Sequence, residues 1–126
     1  MGSLVLRWVA VAAYMALIFT VSAFPMRSRL FESAQKFHGD WLVHIVEYGV
    51  LGILLCRALA EEETRHGRRW LVMMVMALGI LYGASDEYHQ RFVPTRDSSL
   101  HDLAADTVGV ALGTWMWLKY RRKAHA

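Results

Sequence analysis

Long apolar runs separated by short charged segments dominate the chain. Residues 8–24 and 70–85 contain no charged side chain, and such runs are typical of helices that cross the hydrocarbon core of a bilayer. Residues 41–60 and 102–120 are apolar in their later portions and carry ionisable side chains early. The pattern predicts an all-α integral membrane protein, a bundle of four transmembrane helices. The predicted spans cover about residues 4–24, 41–60, 70–87 and 102–120.

The composition supports a single membrane-embedded domain over residues 1–126. Of the 126 residues, 56% are hydrophobic and 20% are charged. The chain is too short for two independent cores and too apolar for a disordered protein. Its single cysteine, Cys56, excludes a disulfide within the chain. The net charge of +3 does not indicate nucleic-acid binding, because the basic residues form no patch interleaved with aromatic side chains.

The first apolar run has an alternative interpretation as a cleaved signal peptide. Arg7 precedes the run, and residues 21–23 supply small side chains at a cleavage position. We favour a retained transmembrane span, because the run is long enough to cross the bilayer. The loop that follows has the apolar spacing of a short interfacial helix. The apolar positions in question are Leu30, Phe31, Ala34 and Phe37.

The basic residues predict the orientation of the bundle. Nine of the fourteen Lys and Arg residues lie on the side that holds both chain ends, and five lie on the other. Because cytoplasmic loops carry the excess of basic residues, we expect both termini in the cytoplasm. Eight of the eleven acidic residues then lie on the outer side.

Polar side chains cluster at the outer end of the second span. Asp40, His44 and Glu47 are spaced i,i+4 and i,i+3, so they share one helical face. Asp40 has an alternative role as the N-cap of the helix. Glu47 lies roughly 10 Å deeper than Asp40. A carboxylate at that depth faces the bundle interior or a wet cavity, which makes it a functional candidate.

The third span ends in a second polar group. Asp86, His89 and Gln90 share a face if the helix continues past them, and Glu87 is placed to pair with Arg91 at i,i+4. Carboxylates near a helix C-terminus oppose the macrodipole, so capping does not explain them. The alternative interpretation is a solvated helix end.

The fourth span begins with Ser99 and Asp102 at the spacing of a capping box, and Asp106 lies one turn deeper on the same face. Gly109 and Gly113 extend that face with a spacing that permits close helix contact. We therefore expect this face to be buried against another span. The candidate counterparts in the second span are Gly49 and Gly52.

These carboxylates have few fixed cations to balance them. In the outer segment after the third span, only Arg91 and Arg96 carry a fixed positive charge. Uncompensated carboxylates in a low-dielectric setting are costly, so we expect some to be protonated, solvated or bound to a cation. Asp, Glu and His donors suit a divalent metal ion such as zinc or manganese, although no closed zinc motif is present. The candidate ligands are His44, Glu47, Asp86 and His89.

Three blocks of the chain resemble the VanZ-like family. They are DxxxHxxxYxxLG from residue 40, SDExHQxFVPxR from residue 85, and SxxD followed by DTxG between residues 99 and 109. The likeness covers roughly residues 40–113. Trp41 stands where the family usually has lysine, which removes one expected cation beside the acidic cluster, and Thr95 stands where it often has glycine.

The resemblance implies a small multi-span protein of the bacterial cytoplasmic membrane, facing the cell envelope. The family's namesake is associated with low-level resistance to glycopeptide antibiotics, above all teicoplanin. The favoured hypothesis is a site at the outer face that binds the head group of a membrane lipid or lipid-linked precursor, with Arg96 engaging a phosphate or carboxylate. The candidate binding residues are Asp40, His44, Tyr48, Gln90, Arg96, Ser99, Asp102 and Asp106.

Two alternatives remain from the sequence. The first is a metal-dependent intramembrane enzyme acting on an envelope lipid, in which a metal activates water and a carboxylate serves as general base. Its candidate catalytic residues are Glu47, Asp86, Glu87 and His89. The second is a proton- or ion-coupled transporter. Four short spans would need to form a homo-oligomer to enclose a transport pathway. Neither inverted repeats nor paired broken helices are visible, which disfavours transport.

Overall fold

The computed structural model describes residues 2–24, 39–94 and 98–124. Within these ranges the chain forms helices and no strand. The helices are α1 (Gly2–Ala23), α2 (Gly39–Ala58), α3 (Ala60–His66), α4 (Arg68–Gln90) and α5 (Leu100–Ala124). The interfacial helix predicted between Leu30 and Phe37 lies outside the described residues.

Three of these helices are long and apolar enough to cross a membrane: α1, the Trp41–Ala58 part of α2, and α4. The prediction of a helical membrane protein is confirmed at this level. Helix α5 is long enough, with 25 residues, but it carries Asp102 and Asp106 near one end and Lys119 and Arg121 near the other. Its apolar content is therefore lower, and a fourth span stays a prediction.

A glycine separates α3 from α4. Gly67 ends α3 with a φ of +89°, a left-handed conformation that residues with a Cβ rarely adopt. The short helix α3 has three glutamates in its first turn and Arg65 and His66 in its last. This arrangement complements the helix macrodipole. The reversal at Gly67 lets α4 start beside the C-terminus of α2.

Side-chain contacts define an up-and-down bundle. Arg7 at the start of α1 lies 3.2 Å from Glu61, just beyond the end of α2, so these two helices are antiparallel. Ser22 at the end of α1 contacts Asp86 near the end of α4, so those two are parallel. The bundle thus has two distinct ends. We call them the polar end, where α1 and α4 finish and α2 and α5 begin, and the basic end, where both chain termini lie.

Helices α2 and α5 run parallel and make the closest backbone contact. A Cβ on Gly109 would lie 2.5 Å from the carbonyl oxygen of Ile45, and a Cβ on Gly113 would clash with the carbonyl of Gly49. A Cβ on Gly52 would meet the backbone of Val110 at 2.8 Å. The predicted pairing of the glycine faces of the second and fourth segments is confirmed, because only glycine leaves room for the opposing backbone.

The bundle buries a modest apolar core and exposes the rest of its apolar surface. Leu51, Leu71, Val75 and Val110 are fully buried between α2, α4 and α5. The outer surface of α1 is apolar almost all round, and its buried residues are few: Val11, Ile18 and Ser22. A helix that presents apolar side chains outward in this way is typical of a protein surrounded by lipid.

Candidate functional site

Seven polar side chains from all four long helices are buried together at the polar end. Helix α1 contributes Ser22, α2 contributes two residues, α4 contributes three and α5 contributes Asp106. We call this set the polar cluster: Ser22, His44, Tyr48, Asp86, Glu87, Gln90 and Asp106. Polar groups are costly to bury without partners, so their convergence marks the place where the chain departs from simple apolar packing.

The carboxylate of Asp86 is held by two donors. Ser22 Oγ donates a hydrogen bond of 2.8 Å to Asp86 Oδ2, and Gln90 Nε2 donates one of 3.0 Å to the same oxygen. Gln90 lies one turn beyond Asp86 on α4, and the prediction that these two residues share a helical face is confirmed. The serine was missed as a site residue by sequence reasoning. A hydroxyl in the last turn of a largely apolar span is a weak signal, because Thr20 lies in the same turn and is exposed.

Asp106 is fully buried and contacts His44. The Nδ1 atom of His44 lies 2.8 Å from Asp106 Oδ1. Two glycines permit this arrangement. Gly109 brings α5 against α2, and Gly83 leaves space beside the aspartate, since a Cβ there would lie 3.1 Å from Asp106 Oδ2. The carboxylate therefore sits where three helices meet.

Glu87 joins α4 to the beginning of α5. The backbone N–H of Ser99 donates a hydrogen bond of 3.1 Å to Glu87 Oε2, and the backbone N–H of Asp102 donates one of 3.1 Å to Ser99 Oγ. The predicted cap by Ser99 is confirmed. In a capping box the third residue of the helix returns the bond, whereas here a carboxylate from another helix accepts it. A negative charge at a helix N-terminus also complements the macrodipole.

Two interpretations of the third span are wrong. Asp86 and Glu87 are buried, which excludes a solvated helix end. Glu87 does not pair with Arg91, whose Nε instead donates to Ser98 Oγ at 3.2 Å. The reason is that Glu87 accepts the backbone N–H of Ser99, whereas Arg91 lies just beyond the end of α4 and is exposed.

His44, Glu87 and Asp106 form a group of metal-type donors in the described part of the chain. One donor atom from each lies within 4.8 Å of the others. Several polar atoms of the polar cluster have no hydrogen-bond partner among the described residues: Tyr48 OH, Asp86 Oδ1, Glu87 Oε1 and Asp106 Oδ2. Among those residues no lysine or arginine lies within ion-pair distance of the three buried carboxylates. Among the described residues the site therefore combines three buried carboxyl groups with unused acceptors and has no fixed positive charge beside them.

A family model described as VanZ/LLP1 matches residues 7–121. The chain belongs to the VanZ/LLP1 family. The matched region begins in α1 and ends in α5, so it contains every residue of the polar cluster. The comparisons with curated proteins and with solved structures give no match.

The block that resembles the VanZ-like family over residues 85–96 contributes three of the seven residues of the polar cluster. Asp86, Glu87 and Gln90 all turn inward. His89, on the same block, is half-buried and packs against Phe19 with ring centroids 4.4 Å apart. It stays apart from the group formed by His44, Glu87 and Asp106.

The remaining predicted site residues are not members of the polar cluster. Glu47 is half-buried on α2, and its backbone carbonyl accepts a hydrogen bond of 3.0 Å from Tyr14 OH on α1. It is not part of the group of His44, Glu87 and Asp106. Asp102 is half-buried in the first turn of α5. Asp40 belongs to α2 without a described side chain, and Arg96 lies outside the described residues.

Two cavities differ in position and chemistry. A notch of about 260 Å³ opens beside the polar cluster and is lined in part by Glu87, Arg91, Ser98 and Ser99. A larger groove of about 1150 Å³ lies at the basic end, between α3, α4 and α5, and is lined by arginines, apolar residues, Glu63 and Thr64. Size alone favours the groove, but the unused buried acceptors are at the other end. The notch is therefore the opening that bears on the polar cluster.

Proposed function

We propose that the protein is a four-span membrane protein of the cell envelope whose polar end faces outward and binds the head group of a lipid or lipid-linked precursor. The observation that carries the proposal is the burial of seven polar side chains, drawn from all four long helices, at one end of the bundle. Ionisable side chains inside a membrane bundle are costly and are functional candidates by default.

Helix α5 is suited to be the fourth span despite its charges. It is 25 residues long, which corresponds to about 37 Å of helix against a hydrocarbon core of about 30 Å. Asp106 faces the interior and is fully buried, whereas the outward positions are apolar. Those exposed residues are Val108, Leu112, Trp115 and Met116. Its parallel course beside α2 also gives the alternation of direction that four spans require.

The residues that line the notch suit a head group that carries both a negative and a positive charge. Glu87 lines it on the acidic side, and Arg91 lines it with a guanidinium suited to phosphate or carboxylate. Arg96 is predicted from the sequence to add a second guanidinium nearby. Carboxylates of the cluster would bind an amine or a cation that accompanies the phosphate. The ligand class is therefore a phosphate-bearing envelope lipid or precursor.

Binding of defined lipids to the purified chain tests this function. Each micelle preparation would contain one probe lipid, which is phosphatidylethanolamine, phosphatidylglycerol or a polyprenyl diphosphate, and its binding to the chain would be measured. We expect one class to bind saturably and Asp86→Asn to weaken that binding about tenfold, which corresponds to about 1.4 kcal/mol for one contact to a charged group. Glu61→Gln is the control, because Glu61 pairs with Arg7 at the basic end. Thermal unfolding of each variant checks folding.

The proposal fails if no lipid probe binds more to protein-containing micelles than to protein-free micelles, or if a stably folded Asp86→Asn variant binds like the unaltered chain.

Family membership suggests a second test, in cells. Cells that produce the protein would be compared with cells that produce the Asp86→Asn variant for susceptibility to teicoplanin. We expect protection only with the unaltered chain.

A second candidate function is a metal-dependent intramembrane enzyme acting on such a lipid. The group of His44, Glu87 and Asp106 favours it, because nitrogen and carboxylate donors hold metals that activate water. Product analysis of the bound lipid by mass spectrometry tests it. Turnover that is abolished by a chelator supports catalysis, and bound lipid that stays unchanged contradicts it.

A further inference from the structure

Three helices place one metal-type donor each at the same point of the polar cluster. His44 comes from α2, Glu87 from α4 and Asp106 from α5, and their donor atoms lie within 4.8 Å of one another. The residues are far apart in the sequence, so no local pattern of one helix accounts for the group. All three side chains are buried.

The separations fit an ion with small adjustment. Donor atoms bound to zinc at 2.0–2.2 Å lie at most roughly 4.4 Å apart across the ion. Closing the group from 4.8 Å requires side-chain shifts of a few tenths of an ångström. One imidazole and two carboxylates are ligands that first-row divalent ions accept.

Each carboxylate has one oxygen held by the protein and one without a partner. Asp106 Oδ1 contacts His44, and Glu87 Oε2 accepts the N–H of Ser99. In the described part of the chain, Asp106 Oδ2 and Glu87 Oε1 have no hydrogen-bond partner, although both residues are buried. Buried acceptors are normally satisfied. A carboxylate oriented through one oxygen and bonding through the other is typical of metal sites with outer-shell support.

The charge balance also favours a cation. Neither Asp106 nor Glu87 has a lysine or arginine within ion-pair distance among the described residues. Two carboxylates without a fixed positive charge beside them are costly in a membrane bundle. A divalent ion carries the charge that balances both.

We propose that His44, Glu87 and Asp106 bind a divalent metal ion of the zinc or manganese type at the polar end. Three protein ligands leave coordination positions open, as in metal sites that also bind water or substrate. The open positions would take a phosphate oxygen of the head group, and this last point rests on the proposed function. The set differs from the sequence-based candidates in replacing Glu47, Asp86 and His89 by Glu87 and Asp106.

The test is a metal titration of the purified full chain in detergent, after removal of bound metal with a chelator. The probes are Zn²⁺ and Mn²⁺ alone, without lipid, followed by equilibrium dialysis and elemental analysis. We expect saturable binding of one ion per chain. Asp106→Asn and Glu87→Gln each keep an oxygen that accepts the existing hydrogen bond, and each should weaken binding by roughly a hundredfold or more, since even outer-shell changes cost 10–100-fold.

Glu61→Gln is the control. Glu61 is an acidic residue at the basic end, where it pairs with Arg7, and its loss should leave binding unchanged. The proposal is overturned if the unaltered chain shows no saturable binding, if Asp106→Asn and Glu87→Gln bind like it, or if Glu61→Gln weakens binding equally. Thermal unfolding with and without metal provides a second measurement, in which only chains with the intact site should be stabilised.

Lipid binding measured in the presence of chelator separates the two proposals. Lipid binding without metal binding would overturn the metal site and leave the head-group function in place. Metal binding without binding of any lipid would support the site and contradict the function.

Discussion

At the scale of the residue, the polar end depends on donors that are matched one by one to buried carboxylates. Asp86 is the best-satisfied of the three, because Ser22 and Gln90 both donate to its Oδ2 atom. Asp86, Asp106 and Glu87 each have one partnered oxygen and one open oxygen. All three are therefore placed to bind a ligand, and Asp86 is in addition a structural anchor between α1 and α4.

The anchor role of Asp86 predicts the effect of losing its serine partner. Ser22→Ala removes one of the two donors while the carboxylate stays buried, which should lower the free energy of unfolding by about 1–3 kcal/mol. The measurement is denaturation in detergent micelles. Thr20→Ala is the control, because Thr20 is exposed and bonds only to the carbonyl of Ala16 in its own helix. Equal losses in the two variants would contradict the anchor role.

The cap of α5 gives a second prediction at this scale. Ser99→Ala removes the hydroxyl that accepts the N–H of Asp102 and should cost about 1 kcal/mol, the usual value for an N-cap. Ser99→Thr keeps an acceptor and should retain most of that stability. The Ser99 N–H donates to Glu87 from the backbone, so it persists in both variants. Equal stability of Ser99→Ala and the unaltered chain would argue against the cap.

At the scale of the element, the contact between α2 and α5 positions the site. Gly109 and Gly113 allow α5 to lie against the backbone of α2 near Ile45 and Gly49. One turn before Gly109, the same face of α5 carries Asp106 to His44. The glycines therefore set the distance between the two helices, and that distance determines whether imidazole and carboxylate meet.

This relation predicts a coupled loss of packing and binding. Gly109→Val places a side chain where the carbonyl of Ile45 lies, so the helices must separate at a cost of about 1–3 kcal/mol. The thermal midpoint should fall, and Zn²⁺ binding should weaken with it. Ala111→Val is the control, because Ala111 is exposed on the same helix. A Gly109→Val variant that unfolds and binds metal like Ala111→Val would contradict the close contact.

At the scale of the whole molecule, charge separates along the bundle axis. The polar end collects buried carboxylates, whereas the basic end holds ion pairs such as Arg7 with Glu61 and Arg121 with Glu63. Both the start of α1 and the end of α5 lie at the basic end. Because cytoplasmic ends carry the excess of basic residues, this asymmetry favours an outward-facing polar end.

Cysteine labelling tests the orientation and the fourth span together. Cys56 is the only cysteine and is buried, so Cys56→Ala gives a cysteine-free background. In intact cells, a membrane-impermeant maleimide should label Leu100→Cys at the polar end. Thr64→Cys and Arg122→Cys should react only after permeabilisation. The three new cysteines and the replaced Cys56 all lie outside the polar cluster.

The outcomes distinguish the two claims. Labelling of Arg122→Cys together with Leu100→Cys in intact cells would show that α5 does not cross the membrane. Labelling of Thr64→Cys and Arg122→Cys without Leu100→Cys would reverse the orientation and leave four spans in place.

The four long helices and the faces within them were predictable from the sequence, whereas the short helix α3 was not predicted. Apolar runs, i,i+4 spacing and the glycine pair at 109 and 113 depend only on the regular 100° turn between residues. The glycine face of α5, its cap by Ser99 and the shared face of Asp86 with Gln90 follow from these local rules. They are independent of how the helices are arranged.

Partners between helices were decided by the tertiary structure alone. Ser22 with Asp86, Glu87 with the N-terminus of α5, and Glu87 with Asp106 all require a particular rotation of each helix about its axis. That rotation results from packing of the whole bundle, because neighbouring residues such as Asp86 and Glu87 point in directions about 100° apart. The sequence by itself therefore determined which residue types gather at the polar end. Only the packed bundle decided which of their oxygen atoms are partnered and which remain open to a ligand.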